Sequence, residues 1–386
     1  MKVCIILPKG LPVPATKGGA IETLIHDIVI CNEKYNKLDI TVVSTYEASS
    51  YEESKEFKNT KFIYIDTSKL SYKVKALKVR IANLFGKHLN TYNECVLDEI
   101  KNEKYDYIIV EDGAYHSFKS YLKYFKNEQM ILHFHHNGES DKYTDATFSR
   151  FIGVSSFVTN TFKKTSSIKN CEVLKNGIKI DKFKQKVTIK EKEEIRKKLG
   201  FSKDDFVVIF CGRLIPEKGV LELIKAINMI DNEHIKLMIV GSINFGAAAQ
   251  SEYLSKIEGE VNKSNGRIKA TGFVPNNEVY KYYKTASIGV VPSVWEDAAP
   301  LVAVEIMASG LPLIITKTGG APEYASKDTI IVPKDDKIPY HLKEAIENLY
   351  KNSKLRDKMS EEGIKKSEEF TTENFYFDFV NLFLKK

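Results

Sequence analysis

Short apolar runs return along this chain with helical patterns between most of them, and that alternation constrains the fold more than any other feature. The runs are Val3–Leu7, Ile40–Ser44, Phe62–Ile65, Tyr107–Val110, Met130–Phe134 and Phe151–Val154. Around residues 176–200 the pattern lapses. Asn176-Gly177 signals a turn, and the charged stretch KEKEEIRKKLG comes after it. It then restarts with Val207–Cys211, Lys236–Val240, Arg267–Thr271, Ile288–Pro292, Leu313–Thr316 and Thr329–Val332. Strands alternating with helices read as βαβ units in a parallel sheet. A chain of 386 residues exceeds one ordinary core. The expectation is therefore an α/β protein of two doubly wound domains, with a boundary near residue 180.

Five cysteines (Cys4, Cys31, Cys95, Cys171 and Cys211) form no CxxC pair, which excludes a zinc ribbon and a disulfide framework and predicts reduced thiols in a cytosolic setting. The opening MKVCIILPKG has too short an apolar run for a signal peptide. No stretch approaches the ~18 apolar residues of a membrane span.

Four segments carry chemistry. Gly18-Gly19-Ala20-Ile21-Glu22 comes after the first strand and opens a helix. Its glycines let backbone N–H groups approach an anion at a helix N-terminus, or simply make a turn. A GxGxxG dinucleotide fingerprint is missing there, which argues against a nicotinamide cofactor. Cys211-Gly212-Arg213-Leu214-Ile215-Pro216-Glu217-Lys218-Gly219 brings two cations to the carboxyl end of a strand, where open α/β sheets bind ligands. A diphosphate fits two such cations.

The third segment, Pro292–Pro312, reads PSVWEDAAPLVAVEIMASGLP. The start of its helix, Ala299-Pro300-Leu301-Val302, offers N–H groups to a phosphate. Glu305, in an otherwise apolar helix, offers acceptors to a ribose diol. The fourth is Leu132-His133-Phe134-His135-His136-Asn137 at the end of a strand. His133 and His135 share a face, but no third ligand stands at metal-site spacing. His133 reads as a satisfied core histidine, while His135 and His136 lie where sites gather.

In this order the segments resemble the GT-B glycosyltransferases, and specifically the large retaining family 4. The likeness covers nearly the whole chain. It adds Asn176-Gly177-Ile178 with Asp181 and Phe183 at the interdomain junction, Asp297-x7-Glu305 before Ile-Met-Ala-Ser-Gly310-Leu-Pro312, and Gly319-Gly320-Ala321-Pro322-Glu323. The resemblance implies two Rossmann-like domains facing a cleft. Residues 1–178 form the acceptor side, 179–368 the nucleotide-sugar side, and 369–386 a helix packing back on the first domain. From the aromatic 374–383 pattern alone, that helix docks either across both domains or on the second.

By resemblance, Arg213 and Lys218 hold the donor diphosphate, with Gly212 in the same loop. Glu305 takes the ribose, and Leu301 and Val302 sit where amides meet phosphate. Gly272, Phe273 and Val274 lie in the loop beside the base. Gly18 and Gly19 face donor phosphate and acceptor. His135 matches the histidine near the donor sugar, with His136 a rival. Asp297 takes the place of the family's first glutamate, which contacts the transferred sugar, and Glu296 stands one residue out of register.

The function implied by this resemblance is transfer of a sugar from a nucleotide diphosphate sugar, a UDP-sugar favoured, to a saccharide hydroxyl. The transfer retains configuration and needs no metal or other cofactor. Two further readings stay open, a GT-B sugar phosphorylase or epimerase and a catalytically idle surface or coat protein of this fold.

The net charge of +7 is too small to suggest nucleic acid. Its placement is informative. Residues 61–90 and 163–190 carry the basic excess, and residues 69–87 hold six cations and no acid. Leu70, Val74, Leu77, Ile81 and Leu84 keep helical spacing there. Such a helix either lies on an anionic membrane surface or packs its stripe on the first sheet. The first alternative implies a lipid-linked acceptor for cell-envelope polysaccharide and a cytoplasmic protein peripheral on the plasma membrane.

Overall fold

The computed structural model describes residues 1–241 and 249–384. The chain divides into two compact units, Met1–Gly177 with Thr372–Lys386, and Ile178–Thr371.

The first unit is built on a parallel sheet of seven strands: β1 (Lys2–Ile6), β2 (Asp39–Thr45), β3 (Thr60–Ile65), β4 (Tyr107–Glu111), β5 (Met130–Phe134), β6 (Arg150–Gly153) and β7 (Asn170–Val173). Their order is β3-β2-β1-β4-β5-β6-β7. The chain winds outward one way from β1 and the other way from β4. The β1/β4 boundary is thus the switch point, where a crevice opens at the strands' carboxyl ends.

The expected runs all became strands, and β7 is the addition. Its residues, Asn170-Cys171-Glu172-Val173, lie at the sheet edge and are partly or fully exposed, so no apolar run announces it. The helix after β1 extends to Tyr35, beyond Cys31, and ends at Asn36 in a left-handed conformation.

The second unit has six parallel strands: β8 (Phe206–Cys211), β9 (Ile235–Val240), β10 (Ile268–Ala270), β11 (Ile288–Val291), β12 (Leu313–Thr316) and β13 (Ile330–Val332). Their order is β10-β9-β8-β11-β12-β13, with the switch point at β8/β11. These strands are nearly continuous in Val, Ile and Leu because helices cover both faces.

The Thr372–Leu384 helix belongs to the first unit. Phe375, Tyr376, Phe379, Val380 and Phe383 enter the same core as Val3, Ile5, Ile25 and Ile28. Tyr376 donates to Asn32 Oδ1 at 2.7 Å, and Arg150 donates to the Leu382 carbonyl at 2.7 Å. The aromatic side chains of this helix therefore find their cover in the core of the first unit and not in that of the second. The return begins at Thr372 instead of residue 369, because Phe370 is buried in the second unit and stacks on Tyr324 at 5.0 Å. Lys385 and Lys386, part of the expected 369–386 segment, lie outside the described residues.

The Leu70–Leu84 helix settles one open alternative. Val79 is its single buried residue. Leu70, Val74, Leu77, Ile81 and Leu84 are all exposed, and Phe85 beyond the helix is 81% exposed. The stripe does not pack on the sheet. On the other side Lys75 pairs with Asp98 at 2.5 Å and holds the helix to its neighbour, Thr91–Ile100.

Candidate active site

In the second unit, the loops after β8 and β11 leave the sheet on either side of its switch point and are tied together. The carbonyl of Glu217 accepts from Val294 N at 3.0 Å. Gly219 has φ 66°, and a Cβ there would stand 1.9 Å from the Pro292 carbonyl oxygen. Only glycine permits that approach.

The single turn Pro216–Lys218 carries Lys218 to Asp297, whose Oδ2 accepts from Nζ at 2.6 Å. Gly319, at φ 47°, lets its own loop close on Asp297, and the next residue's N–H donates to the Asp297 carbonyl at 2.7 Å. Asp297 and Lys218 are thus brought together. Glu296 turns elsewhere, accepting from the Gly319 N–H and pairing with Lys334. The two adjacent acids thus have different partners: Asp297 faces Lys218, and Glu296 braces the 319 loop.

Arg213 is exposed and has no side-chain partner among the described residues. It is a cation held at a strand end with its charge uncompensated. The Leu301–Ala308 helix starts after Pro300, and no side chain caps it. The N–H groups of Leu301 and Val302 donate to no described protein group. First-turn N–H groups need a partner from elsewhere, and the helix dipole favours an anionic one. Ala299 and Pro300 form the approach to this helix start.

Glu305 lies on that helix. Tyr283, fully buried, donates its hydroxyl to Oε2 at 2.8 Å. Oε1 has no partner among the described residues, so one oxygen is fixed and one is open. Burial raises the carboxyl's pKa, while the Tyr283 hydrogen bond and the Lys182 charge pull it down. Lys182 donates to Asn276, and its own pKa is lowered by burial. Phe273 is 71% exposed in a loop that Gly272 turns at φ 74°, and Val274 is partly buried beside the core. Gly212 continues the β8 end. Lys182, Tyr283 and Lys334 were not foreseen. Lys182 sits between the matching Asp181 and Phe183, which is the signal that could have found it.

In the first unit, Gly18 and Gly19 have φ 76° and 100°. A Cβ on Gly19 would stand 2.0 Å from Glu22 Oε2. Glu22 therefore folds its carboxylate over this helix start and is buried. Burial raises its pKa, and His135 nearby pulls it down. The turn expected to meet a phosphate already holds an acid of the chain's own.

His135 and His136 separate clearly. His136 is half exposed, with Nδ1 3.0 Å from Asp112 Oδ1. The His135 ring is buried, with Nε2 2.6 Å from Glu111 Oε2. His133 is fully buried as expected, but neither ring nitrogen has an aligned partner. Glu111, His133 and His135 together are a group of metal-ligating residue types. The third member escaped notice in the sequence because it comes from β4 by register, opposite His133.

Comparison with known proteins points the same way. Residues 191–366 match the family described as glycosyl transferases group 1. YtcC of Bacillus subtilis (strain 168), named as a provisional glycosyltransferase, is 26% identical over 96% of this chain and 89% of its own length. The lipopolysaccharide 1,2-N-acetylglucosaminetransferase of Salmonella typhimurium is 22% identical over 84% of this chain and 82% of its own. A crystal structure of HepE from Anabaena in complex with UDP and glucose superposes with a TM-score of 0.74 at 16% identity, covering 99% of both chains. Residues 191–366 are thus similar to glycosyl transferases group 1, the sequence relatives include glycosyltransferases, and the whole chain shares the GT-B α/β fold.

Proposed function

We propose that this chain moves a sugar from a UDP-sugar to a hydroxyl of a lipid-linked saccharide in cell-surface polysaccharide assembly, with retention and without a metal ion. The observation that carries the donor half is the unpartnered polar set of the second unit. Among the described residues Arg213 is unpaired, the N–H groups of Leu301 and Val302 at the helix start have no acceptor, and Glu305 has one open oxygen. The UDP bound to HepE supports the choice of nucleotide. The envelope acceptor is supported by the name of the Salmonella relative.

The residues divide the work by charge. Arg213 and the amides of Leu301 and Val302 receive the diphosphate. As the sugar leaves, negative charge grows on that diphosphate, and donors fixed in advance stabilise it without reorganisation. This is the task a divalent ion performs elsewhere. Lys218, tethered by Asp297, is placed to share its charge with the same phosphates. Glu305 Oε1 accepts from the ribose diol. Retention rests on the family resemblance, in which a leaving phosphate oxygen helps to deprotonate the acceptor and no protein nucleophile is needed. In the first unit, Glu22 over the glycine turn favours a hydroxyl-bearing ligand over an anionic one.

Nucleotide release, measured over UDP-, GDP-, dTDP- and ADP-sugars in EDTA, tests the donor half. Turnover with a UDP-sugar is expected. Silence with every donor would favour the idle coat protein, release only with inorganic phosphate a phosphorylase, and loss of turnover in EDTA would end the metal-free claim.

The Leu70–Leu84 helix supports a membrane-borne acceptor. No helix among the described residues is long and apolar enough to cross a bilayer. This one instead presents an uncovered apolar stripe and, with its flanks, six cations. Each cation near an anionic surface contributes about 1 kcal/mol. Co-sedimentation with vesicles containing anionic lipid is expected, and it should fall at least about tenfold for the pair Leu77→Glu and Leu84→Glu. Equal binding to purely zwitterionic vesicles, or none to either, defeats this part of the reading.

A further inference from the structure

A cavity of about 560 Å³ lies within the first unit, between the end of β3 and the Leu70–Leu84 and Thr91–Ile100 helices. Its size falls in the ~300–1,000 Å³ of ordinary small-ligand sites. Cys95, Asp98 and Glu99, three and four residues apart, line it from the less buried side of the Thr91–Ile100 helix. Ser71, Val74 and Lys78 line it from the other helix. Lys75 pairs with Asp98 at 2.5 Å and joins the two walls. Tyr64 and Tyr72 complete the lining. The Tyr64 hydroxyl is already given to the carbonyls of Val13 and Ser50, so the ring is what Tyr64 offers.

The charges of the lining say what it suits. Lysines 69, 75 and 78 are matched by Asp66, Asp98 and Glu99. A phosphate site would need an excess of cations, and a cation site an excess of acids. The balance fits an uncharged ligand. Part of the set is committed within the chain. Asp98 takes Lys101 at 2.8 Å as well as Lys75, and Asp66 accepts from the Ser68 backbone and hydroxyl at 2.9 and 2.6 Å. Lys69, Lys78 and Glu99 are exposed and have no partner among the described residues. They leave donors and an acceptor for a ligand to use. A sugar hydroxyl both donates and accepts. The negative face of an aromatic ring attracts the slightly positive C–H face of a sugar.

The position of the cavity adds the carrier. Leu70 and Val74 stand in its wall and in the uncovered stripe at once, 76% and 46% exposed. The cavity therefore opens beside an apolar face, and a molecule with a hydroxyl-rich head and an apolar tail meets both. We propose that this cavity seats sugar units of a lipid-borne saccharide while the lipid lies along the Leu70–Leu84 stripe. The proposal rests on the lipid-linked acceptor of the transferase reading and deepens it by giving the saccharide a seat within the first unit.

Cys95 reports on occupancy, because its thiol is partly exposed in the cavity wall. Burial raises its pKa, so alkylation is followed at mildly alkaline pH on the full chain, with peptide mass spectrometry assigning each thiol. Cys171, partly exposed elsewhere in the same unit, is the internal control. Three probes are compared below their micelle concentrations: maltose, octyl maltoside and octyl phosphate. Both sugars should slow alkylation of Cys95 and not of Cys171. The octyl chain should lower the concentration needed at least about tenfold, since each buried methylene contributes ~0.8 kcal/mol. Octyl phosphate should give little protection. The pair Leu77→Glu and Leu84→Glu, outside the cavity, should remove the gain from the chain and leave protection by maltose intact. The pair Lys78→Ala and Glu99→Ala, both exposed and unpaired, should weaken protection by maltose about fivefold or more with unchanged melting. Protection by neither sugar overturns the proposal. So does equal protection by octyl phosphate, equal slowing at Cys171, or undiminished protection in the Lys78 and Glu99 variant. Absence of donor turnover would defeat the transferase reading, while the thiol rates still judge the cavity.

Discussion

Replacing Arg213 with alanine should lower kcat for nucleotide release by about 10²–10³, the range seen when one donor to a developing anionic charge is removed. The side chain is exposed and unpaired among the described residues, so its loss leaves no buried partner behind, and thermal stability should stay within ~0.5 kcal/mol of wild type. Lys218→Ala is the informative contrast. It strips Asp297 of its 2.6 Å partner and so mixes a structural effect with a catalytic one. Arg213→Lys should recover little, because a point ammonium cannot reproduce two parallel contacts to a phosphate. Near-normal turnover in Arg213→Ala would remove the diphosphate from this loop.

The second large effect is expected at Glu305. Glu305→Gln keeps an oxygen to accept from Tyr283, so the local structure survives. The open carboxylate oxygen becomes, at best, a weaker amide group. Hydrogen bonds to a charged group contribute about 1.5–3 kcal/mol, so donor affinity should fall roughly 10- to 150-fold with kcat much less changed. Calorimetry with UDP and with 2′,3′-dideoxy-UDP gives the decisive comparison. Wild type should prefer the intact ribose strongly, and the variant should scarcely tell them apart. Undiminished discrimination in the variant would move the ribose contact elsewhere. The effect carries a pH signature. Because burial raises the Glu305 pKa, the wild-type preference should weaken as pH falls through that raised value, where the carboxyl takes up a proton. The glutamine variant should show no such dependence.

How much of this could be read from the sequence differs from element to element. The buried strands were visible because helices on both faces demand continuous apolar residues. β7 was not, since an edge strand half open to solvent has no such demand. The stripe Leu70, Val74, Leu77, Ile81 and Leu84 was legible as a helix face, but periodicity says only that residues share a side and not what that side meets. The order of glycines, cations and acids in the second unit marked the edge that is proposed to bind phosphate. The partners that tune it did not appear, because Tyr283 and Lys182 reach Glu305 from separate elements. Glu111 was equally hidden. Its meeting with His133 and His135 depends on which residues of β4 and β5 lie side by side, and strand register is a property of the folded sheet.

The return of Thr372–Leu384 to the first unit has a consequence for how the protein is made. Ribosomes deliver the chain in order, and all of Ile178–Thr371 must be synthesised before that helix exists. Until then the core around Val3, Ile5, Ile25 and Ile28 lacks the five aromatic and aliphatic side chains that close it. The nascent first unit waits with an open apolar seam while the second has every residue it needs. Birth order along the chain and order of completion are thus reversed, and the interval between them is when this protein most needs a chaperone.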